Sequence, residues 1–351
     1  MKMAFAPGSH FVTKEVAMTL HPWMLVAMRR AGAVLAVLAL AATLDTAHAQ
    51  SAAPVWPTKP IRLIVNFPPG SSPDVLARAL ATPLERALGQ TVVVENRAGA
   101  SGMIGADAVA KSAPDGYTLL MTAGSTMSIS PAFSKMPFDP VKDFSPVASI
   151  ARISLFLVAR ADLPPRNIRE FIAYIKARPG KLSYGFAGNG TGLHIAGEML
   201  KSQAGLYAVH VPYRGAAPAL QDLLAGQIDY YFDPGIAFAH VRSGRLRMLA
   251  VGSLDRSALF PDVPTLAEVG LAGFDAGTTH GIFAPAGTPP EVVVCLNLEV
   301  NRLLATPAVQ AQVRAIGAVP APHTPVTFGE QTQKDLNRYT QIIRERKIHE
   351  D

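Results

Sequence analysis

The chain has 351 residues, 49% of them hydrophobic and 17% charged, with a formal charge of +6. That is enough apolar material for two ordinary domains, and so mild a basic excess is far from a nucleic-acid footprint. The single cysteine, Cys295, excludes an intrachain disulfide; within the apolar run Val292–Val300 it reads as a buried small hydrophobe.

Residues 1–49 read as an export signal cleaved near Ala49. Arg29-Arg30 precede the apolar run Ala31–Leu44, and Ala47-His48-Ala49 sets small residues where a signal peptidase cuts. The run is short for a membrane span, and no cysteine nearby offers a lipid attachment point. Met24 and Met28 are alternative starts. Loss of the leader leaves 28 basic against 24 acidic residues, a balance of +4, on a protein expected in the periplasm.

After a Pro-rich lead, Pro54–Pro60, comes a strand at Ile61–Val65 and a turn at Asn66–Asp74. Ser72 is the expected N-cap, with Pro73 at the first helical position and Gly89 closing the helix after Leu88. A strand at Thr91–Glu95, a loop at Asn96–Gly102 and a helix near Ile104–Lys111 follow. Tyr117–Thr122 is a third strand and Ala123–Thr126 a small-residue turn. This alternation predicts a parallel sheet with helices on both faces, its ligands at the strands' C-terminal ends. Asp139–Phe144 is a loop, Ile153–Arg160 a strand crossing between domains, and Asn167–Arg178 a helix.

The stretch Ser183–Pro234 carries the strongest functional signal. It reads strand, Gly-rich turn (187–192), helix, strand, second turn (213–218), helix at Ala219–Ala225, strand. Both helices point their N-termini at one sheet edge, and such termini carry unpaired N–H donors and partial positive charge suited to an anion. Leu246–Val251 is a further strand, and Phe260–Val269 a loop leading into a short helix. His280–Pro285 is a second crossing strand. Helices at Pro290–Leu304, Pro307–Ile316 and Phe328–Glu345 pack back on the first domain. Two crossings make a hinged α/β clamp: residues 54–152 with 281–351 as a discontinuous first lobe, and 153–280 as the second.

Several stretches together resemble a known family. They are Trp56–Ile61, Phe67–Arg78, Glu95–Gly102, Ala113–Leu119, Gly190–Glu198, His210–Gly215, Asp222–Asp229, Pro261–Thr265 and Phe283–Pro289. In order and over nearly all of the exported chain, they are similar to the solute-binding proteins of tripartite tricarboxylate transporters, the Bug family. The resemblance implies a two-lobe periplasmic-binding-protein (Venus-flytrap) fold holding a small carboxylate, much of the contact coming from backbone amides. By position it implies ligand contacts from Phe67, Ser71, Ser72, Asp74 and Ser125 in the first lobe. In the second it implies Ala187, Gly188, Asn189, Gly190, Thr191, His194, Tyr213, Arg214, Gly215 and Asp233. Two departures stand out. The first turn has one glycine and an added proline, Gly70-Ser71-Ser72-Pro73-Asp74, and Thr278-Thr279-His280 replaces an aromatic residue common before the second crossing. The replacement predicts a wider or more polar pocket mouth.

Each candidate also has a structural reading. Ser71 and Ser72 are ligand contacts or helix caps, and Asp74 a partner of the helix dipole. His194 is a ligand contact or a buried core histidine. Tyr213 touches ligand or anchors its turn, and Arg214 pairs with a carboxylate or lies in solvent. Asp233 meets ligand or holds Arg214 or a loop amide.

Enzyme signals are weak. Gly99-Ala100-Ser101-Gly102 is not a nucleophile elbow, Gly188–Leu193 lacks the third glycine of a dinucleotide fingerprint, and the histidines show no metal spacing. The expectation is a monomeric, cofactor-free receptor for a small organic carboxylate that serves the membrane subunits of a tripartite transporter. A sensor module feeding a signalling receptor is the alternative, and an exported hydrolase a distant third.

Overall fold

The computed structural model describes residues 56–348, so the expected signal segment lies outside the described residues. The chain runs β1 (Ile61–Val65), α1 (Ser72–Leu88), β2 (Val92–Asn96), α2 (Met103–Ala110), β3 (Thr118–Thr122), α3 (Gly124–Ser128), α4 (Ser130–Phe133) and β4 (Phe144–Ile153). It continues through β5 (Phe156–Arg160), α5 (Ile168–Lys176), β6 (Ser183–Phe186), α6 (Gly192–Ala204), β7 (Val209–Pro212), α7 (Ala216–Leu224), β8 (Tyr230–Asp233), α8 (Phe238–Arg242) and β9 (Leu246–Val251). It closes with β10 (Thr278–Pro285), α9 (Pro290–Leu304), α10 (Pro307–Ala315), β11 (Val319–Pro320) and α11 (Pro325–Glu345).

Two sheets result, a six-stranded one in the order β11-β4-β10-β3-β1-β2 and a five-stranded one in the order β7-β6-β8-β5-β9. Each contains a parallel trio, β2-β1-β3 or β7-β6-β8, whose connections run through helices. Next to each trio the pairing turns antiparallel, at β10 in one sheet and β5 in the other. The sheets are therefore mixed, because the strands that join the halves arrive from the opposite direction.

The crossing expected at residues 153–160 occurs as two strands rather than one. Ile153 ends β4, paired with Thr278 of β10, whereas Phe156 opens β5, paired with Asp233 and Val251. The backbone changes hydrogen-bond partners over Ser154 and Leu155, so the ladder breaks there. The return lies alongside: the Gly252 N–H donates to the Leu155 carbonyl and the Ala276 N–H to the Gly252 carbonyl. β10 then lies wholly in the first sheet.

Smaller departures have local causes. Residues 260–269 form turns and a bridge from Thr265 to Val251 in place of a short helix, since Pro261 and Pro264 interrupt the backbone donors. Residues 124–128 are helical where a turn is expected. Cys295 is only half-buried, because α9 exposes Val294 and Leu298 on the same apolar stretch.

The last helix joins the two halves. Near its start Phe328, 1% exposed, packs on Phe283 with ring centroids 4.8 Å apart. Near its end Tyr339 and Ile343 enter the core formed around the second sheet. Arg338 and Tyr339 also donate to the Gly277 carbonyl at 3.1 and 3.0 Å, just ahead of β10. Phe328→Ala should lower the unfolding free energy by about 3–5 kcal/mol, since a fully packed ring leaves a cavity. Urea unfolding followed by tryptophan fluorescence and circular dichroism measures it; a loss below 1 kcal/mol would show that α11 does not depend on this contact.

Candidate functional site

A small cavity lies between the two sheets where several of their strands end. It has a volume of about 40 Å³ and is lined by Phe67, Ser71, Ser72 and Pro73 after β1, and by Ala123 and Ser125 after β3. Ala187, Thr191, Gly192 and Leu193 follow β6; Ala216 opens α7; Pro234 follows β8; and Ile153, Leu155, Thr278 and His280 complete the wall. Strand ends beside a switch in strand order are where open α/β sheets place ligands. The volume suffices for a few waters or the carboxylate end of an organic acid.

The polar character of the cavity comes from helix starts. α6 begins at Gly192 with Thr191 as N-cap, whose hydroxyl accepts from the His194 N–H, leaving the first-turn N–H groups of Gly192 and Leu193 without intrahelical partners. Neither α6 nor α7 has an acidic residue in its first turn. α1 begins one residue earlier than the sequence predicts: Ser71 is the N-cap, with φ −71° and ψ 159°, and Ser72 is the first helical residue. Pro73 tolerates this shift because its missing N–H costs little anywhere in the first turn.

That shift settles what the two serines do inside the protein. Ser71 makes no side-chain cap, and among the described residues its buried Oγ has no hydrogen-bond partner although it lines the cavity. Ser72 Oγ lies 3.0 Å from His280 Nε2. His280 in turn accepts the Gly124 N–H at Nδ1, 3.3 Å away, and burial lowers its pKa to about 3, so the ring is neutral. Among the described residues, no Asp, Glu, Lys or Arg lines this cavity.

Of the residues expected at the site, Phe67, Ser71, Ser72, Ser125, Ala187 and Thr191 meet in this cavity. Asp74 is buried but turned to its own element, accepting from the Gly70 N–H at 2.9 Å, Asn96 at 2.8 Å and Arg78 at 3.1 Å. Burial alone would raise its pKa; these hydrogen bonds and the Arg78 charge outweigh that and hold it below the ordinary value. His194 stacks on Phe186 with centroids 4.4 Å apart, and its Nδ1 accepts from the Gly190 N–H at 3.3 Å. Gly188 and Gly190 face the other sheet's elements: a Cβ on the first would lie 2.6 Å from Ser101 Oγ, and one on the second 3.1 Å from the Phe133 ring. Asn189 is half-buried in the same turn and does not line the cavity.

Tyr213 and Arg214 line a second, larger cavity of about 740 Å³, with Asn66, Pro68, Ile104 and residues 98–102. Phe67 and Ala187 border both cavities. The Tyr213 hydroxyl donates to Asp222 at 2.7 Å, and burial and that carboxylate push its pKa up to about 12. Gly215 approaches Pro68 so closely that a Cβ would lie 2.8 Å from its ring.

Asp233 is fully buried beneath the cavity rather than on its wall. It accepts from the Tyr231 hydroxyl and from the N–H groups of Gly235, Ile236 and Ala237, so it holds the turn that carries Pro234. His280, Thr278, Gly192, Leu193, Ala216 and Pro234 were not expected at the site. Gly192 and Ala216 lie in the two turns that the sequence marked as anion-facing helix starts, and Thr278 and His280 in its unusual Thr278-Thr279-His280 run.

Two mixed sheets closing on a cavity rimmed by helix starts define the architecture of a periplasmic binding protein. Comparison narrows the class. The chain belongs to the family described as tripartite tricarboxylate transporter family receptor, which matches residues 76–348. It is 40% identical over 310 residues to the protein BugT of Bordetella pertussis, covering 85% of this chain and 94% of that protein. The solved structure of Rpa4515 from R. palustris with adipate superposes with a TM-score of 0.81 at 33% identity, covering 84% of this chain and 99% of that one. MatC from Rhodopseudomonas palustris with bound malate gives a TM-score of 0.78 at 34% identity, covering 82% and 100%. The family is described as a receptor, and a further solved relative, BugD, as a periplasmic binding protein, with a TM-score of 0.80 at 34% identity over 84% of this chain and 100% of that one.

Burial raises the Asp233 carboxyl to about 6 against the opposing hydrogen bonds, from an ordinary 3.8. The native state then holds this proton more tightly than the unfolded chain. Its stabilising contribution is full below pH 3.8 and lost as pH rises through about 6. The stability of the wild type relative to Asp233→Asn should therefore fall by about 2–3 kcal/mol between pH 4 and pH 7. Urea titrations across that range measure it, and a flat difference would show that Asp233 is ionised throughout.

Proposed function

We propose that this protein is a periplasmic receptor that encloses the carboxylate head of a small organic acid and presents it to the membrane subunits of a tripartite transporter. The observation that carries this reading is the smaller cavity's inventory. Among the described residues it combines an unpartnered, buried Ser71 hydroxyl, the starts of α1, α6 and α7, and no charged side chain. Such a space supplies hydrogen-bond donors and positive potential to an anion. Adipate in one relative and malate in another support the same ligand class.

In this reading the elements of the first sheet, β10 included, form one lobe and residues 154–277 the other, closing on the ligand as a monomer after residues 1–49 are removed. The ligand body extends past Phe67 and Ala187 into the larger cavity. Arg214, exposed and without a salt-bridge partner among the described residues, is placed there to meet a second anionic group. No single helix among the described residues is long and apolar enough to cross a membrane, and no cluster of three metal-ligating side chains occurs among them.

Chain from residue 50 onward, unfolded and refolded to shed carried-over ligand, is titrated with adipate, malate, glucose and arginine. Stabilisation of roughly 2–4 kcal/mol by adipate or malate at a hundredfold or greater excess over Kd is expected. A response confined to glucose or arginine would overturn the reading.

Gly192→Pro then tests the α6 start. Gly192 is the first helical residue, Thr191 before it is extended at φ −82° and ψ 162°, and the nearest atoms to an added Cβ are 3.8 Å away. A Cβ therefore meets no clash, and proline at the first helical position keeps the helix while replacing the N–H by Cδ. Carboxylate affinity should drop about tenfold or more while unfolding free energy changes by less than about 1 kcal/mol, and Gly192→Ala should bind as the wild type does. Equal affinity in the proline variant would remove this helix start from the site.

A further inference from the structure

The contacts of His280 fix the direction of a hydrogen bond in the cavity. The Gly124 backbone N–H faces Nδ1 at 3.3 Å and can only donate, so Nδ1 carries no proton. The ring is 4% exposed in β10 and faces Ser72 Oγ through Nε2 at 3.0 Å. A neutral imidazole has one N–H, which must then be on Nε2 and point at Ser72 Oγ. Ring reversal would put carbons in both positions and lose both bonds. Burial, which lowers the imidazole to about 3, keeps the second proton off.

Ser72 therefore receives a hydrogen bond from His280 and keeps its own proton for another acceptor. No protein acceptor is found for that proton among the described residues, and Ser72 lines the cavity. We propose that His280 is a positioning residue that locks the Ser72 hydroxyl as a donor into the cavity, so that the site selects the ionised carboxylate over the amide of the same shape.

The inference rests on the carboxylate reading of the same cavity. Its physical basis is the cost of mismatch. With Ser72 donating, with the unpartnered Ser71 hydroxyl able to do so, and with the first-turn N–H groups of Gly192 and Leu193 donating, the wall offers donors. A carboxylate only accepts and satisfies all of them. A primary amide brings an NH₂ group that meets a donor, and buried donor against donor is left unpaired on both sides. Were His280 replaced by a side chain that accepts from Ser72, the hydroxyl would reverse and offer its lone pairs inward.

The experiment has a ligand-free arm and a binding arm. Nitrogen NMR of ¹⁵N-histidine-labelled, refolded protein at neutral pH should show His280 protonated on Nε2 alone; a proton on Nδ1, alone or as well, overturns the proposal whatever binds. Adipate and adipamide are then titrated into the wild type, Ser72→Ala, His280→Phe, His280→Gln and the Ser72→Ala/His280→Phe double variant. The wild type should prefer adipate by a hundredfold or more. Ser72→Ala and His280→Phe should each lower adipate affinity about tenfold, and the double variant should lose no more than either single one, because the two side chains act as one unit. His280→Gln, which can still present an N–H to Ser72, should recover most of the loss.

Additive losses would mean that His280 acts only through packing, and equal binding of adipate and adipamide would mean that donor direction selects nothing; either sinks the proposal. If no carboxylate binds the wild type, the carboxylate reading fails and the selectivity proposal with it, and the ring spectrum still reports the tautomer. If His280→Phe does not fold, Ser72→Ala with the two ligands and the ring spectrum decide.

Discussion

The first turn of an α-helix holds backbone donors that the helix cannot use, and the molecule aims such donors at one buried space. α1, α6 and α7 all begin on the cavity wall. Donors of this kind exist in any helix, so gathering them requires no added charge and no separate desolvation. A buried lysine or arginine would carry a penalty of several kcal/mol whenever the cavity lacked an anion. Helix starts leave a smaller debt in the empty state, because waters can satisfy them. Asp74 is the one acidic group in these first turns, and its carboxylate is held by Gly70, Asn96 and Arg78, so its charge is balanced before it reaches the cavity.

Sheet topology delivers those starts to one place. Both sheets contain a parallel trio in which the first strand lies in the middle, β2-β1-β3 and β7-β6-β8. In such a trio the connections after the middle strand and its outer neighbour diverge, leaving a crevice at the C-terminal strand ends. The antiparallel neighbours β10 and β5 then set the two crevices facing each other, since the chain passes from one sheet to the other at Ser154 and Leu155 and returns beside Gly252 and Ala276. α11 fixes the pairing from outside by packing Phe328 in one core and Tyr339 in the other.

Much of this was legible in the sequence, and what was not has a physical reason. The strand–turn–helix alternation and the glycines at 89, 188, 190 and 215 marked the parallel units and their turns, because local backbone demands choose those residues. β4 escaped notice before Ile153 because Pro146 and the small residues Ser145, Ala148, Ser149 and Ala151 weaken its strand pattern, although it is held by β10 on one side and β11 on the other. The start of α1 was off by one residue since both serines suit the cap; only the packed structure shows Ser71 unpaired and Ser72 on His280. His280 lies 208 residues from its serine, a separation that no local pattern records. For His194 and Asp233 the sequence left a ligand contact and a structural role both open, because residue type alone does not say which way a side chain turns. Here one stacks on Phe186 and the other holds a turn by its amides.

One turn links the site to the contact between the halves. In residues 187–193, Gly188 and Gly190 lie against Ser101 and Phe133, and the Ser130 hydroxyl of α4 donates to the Gly190 carbonyl at 3.2 Å. The next residues, Thr191, Gly192 and Leu193, line the cavity. The Gly190 N–H donates to His194, which sits in the first turn of the helix whose donors face the ligand space. On the receptor reading, an anion that draws on the Gly192 and Leu193 donors pulls on the same rigid turn that meets the opposite half. Separating the halves breaks the Ser130–Gly190 bond and removes the anion's donors from α1 together. A ligand touching both sides binds the closed arrangement better than the open one by the worth of the contacts on the second side, and that difference is what makes closure report that the site is filled.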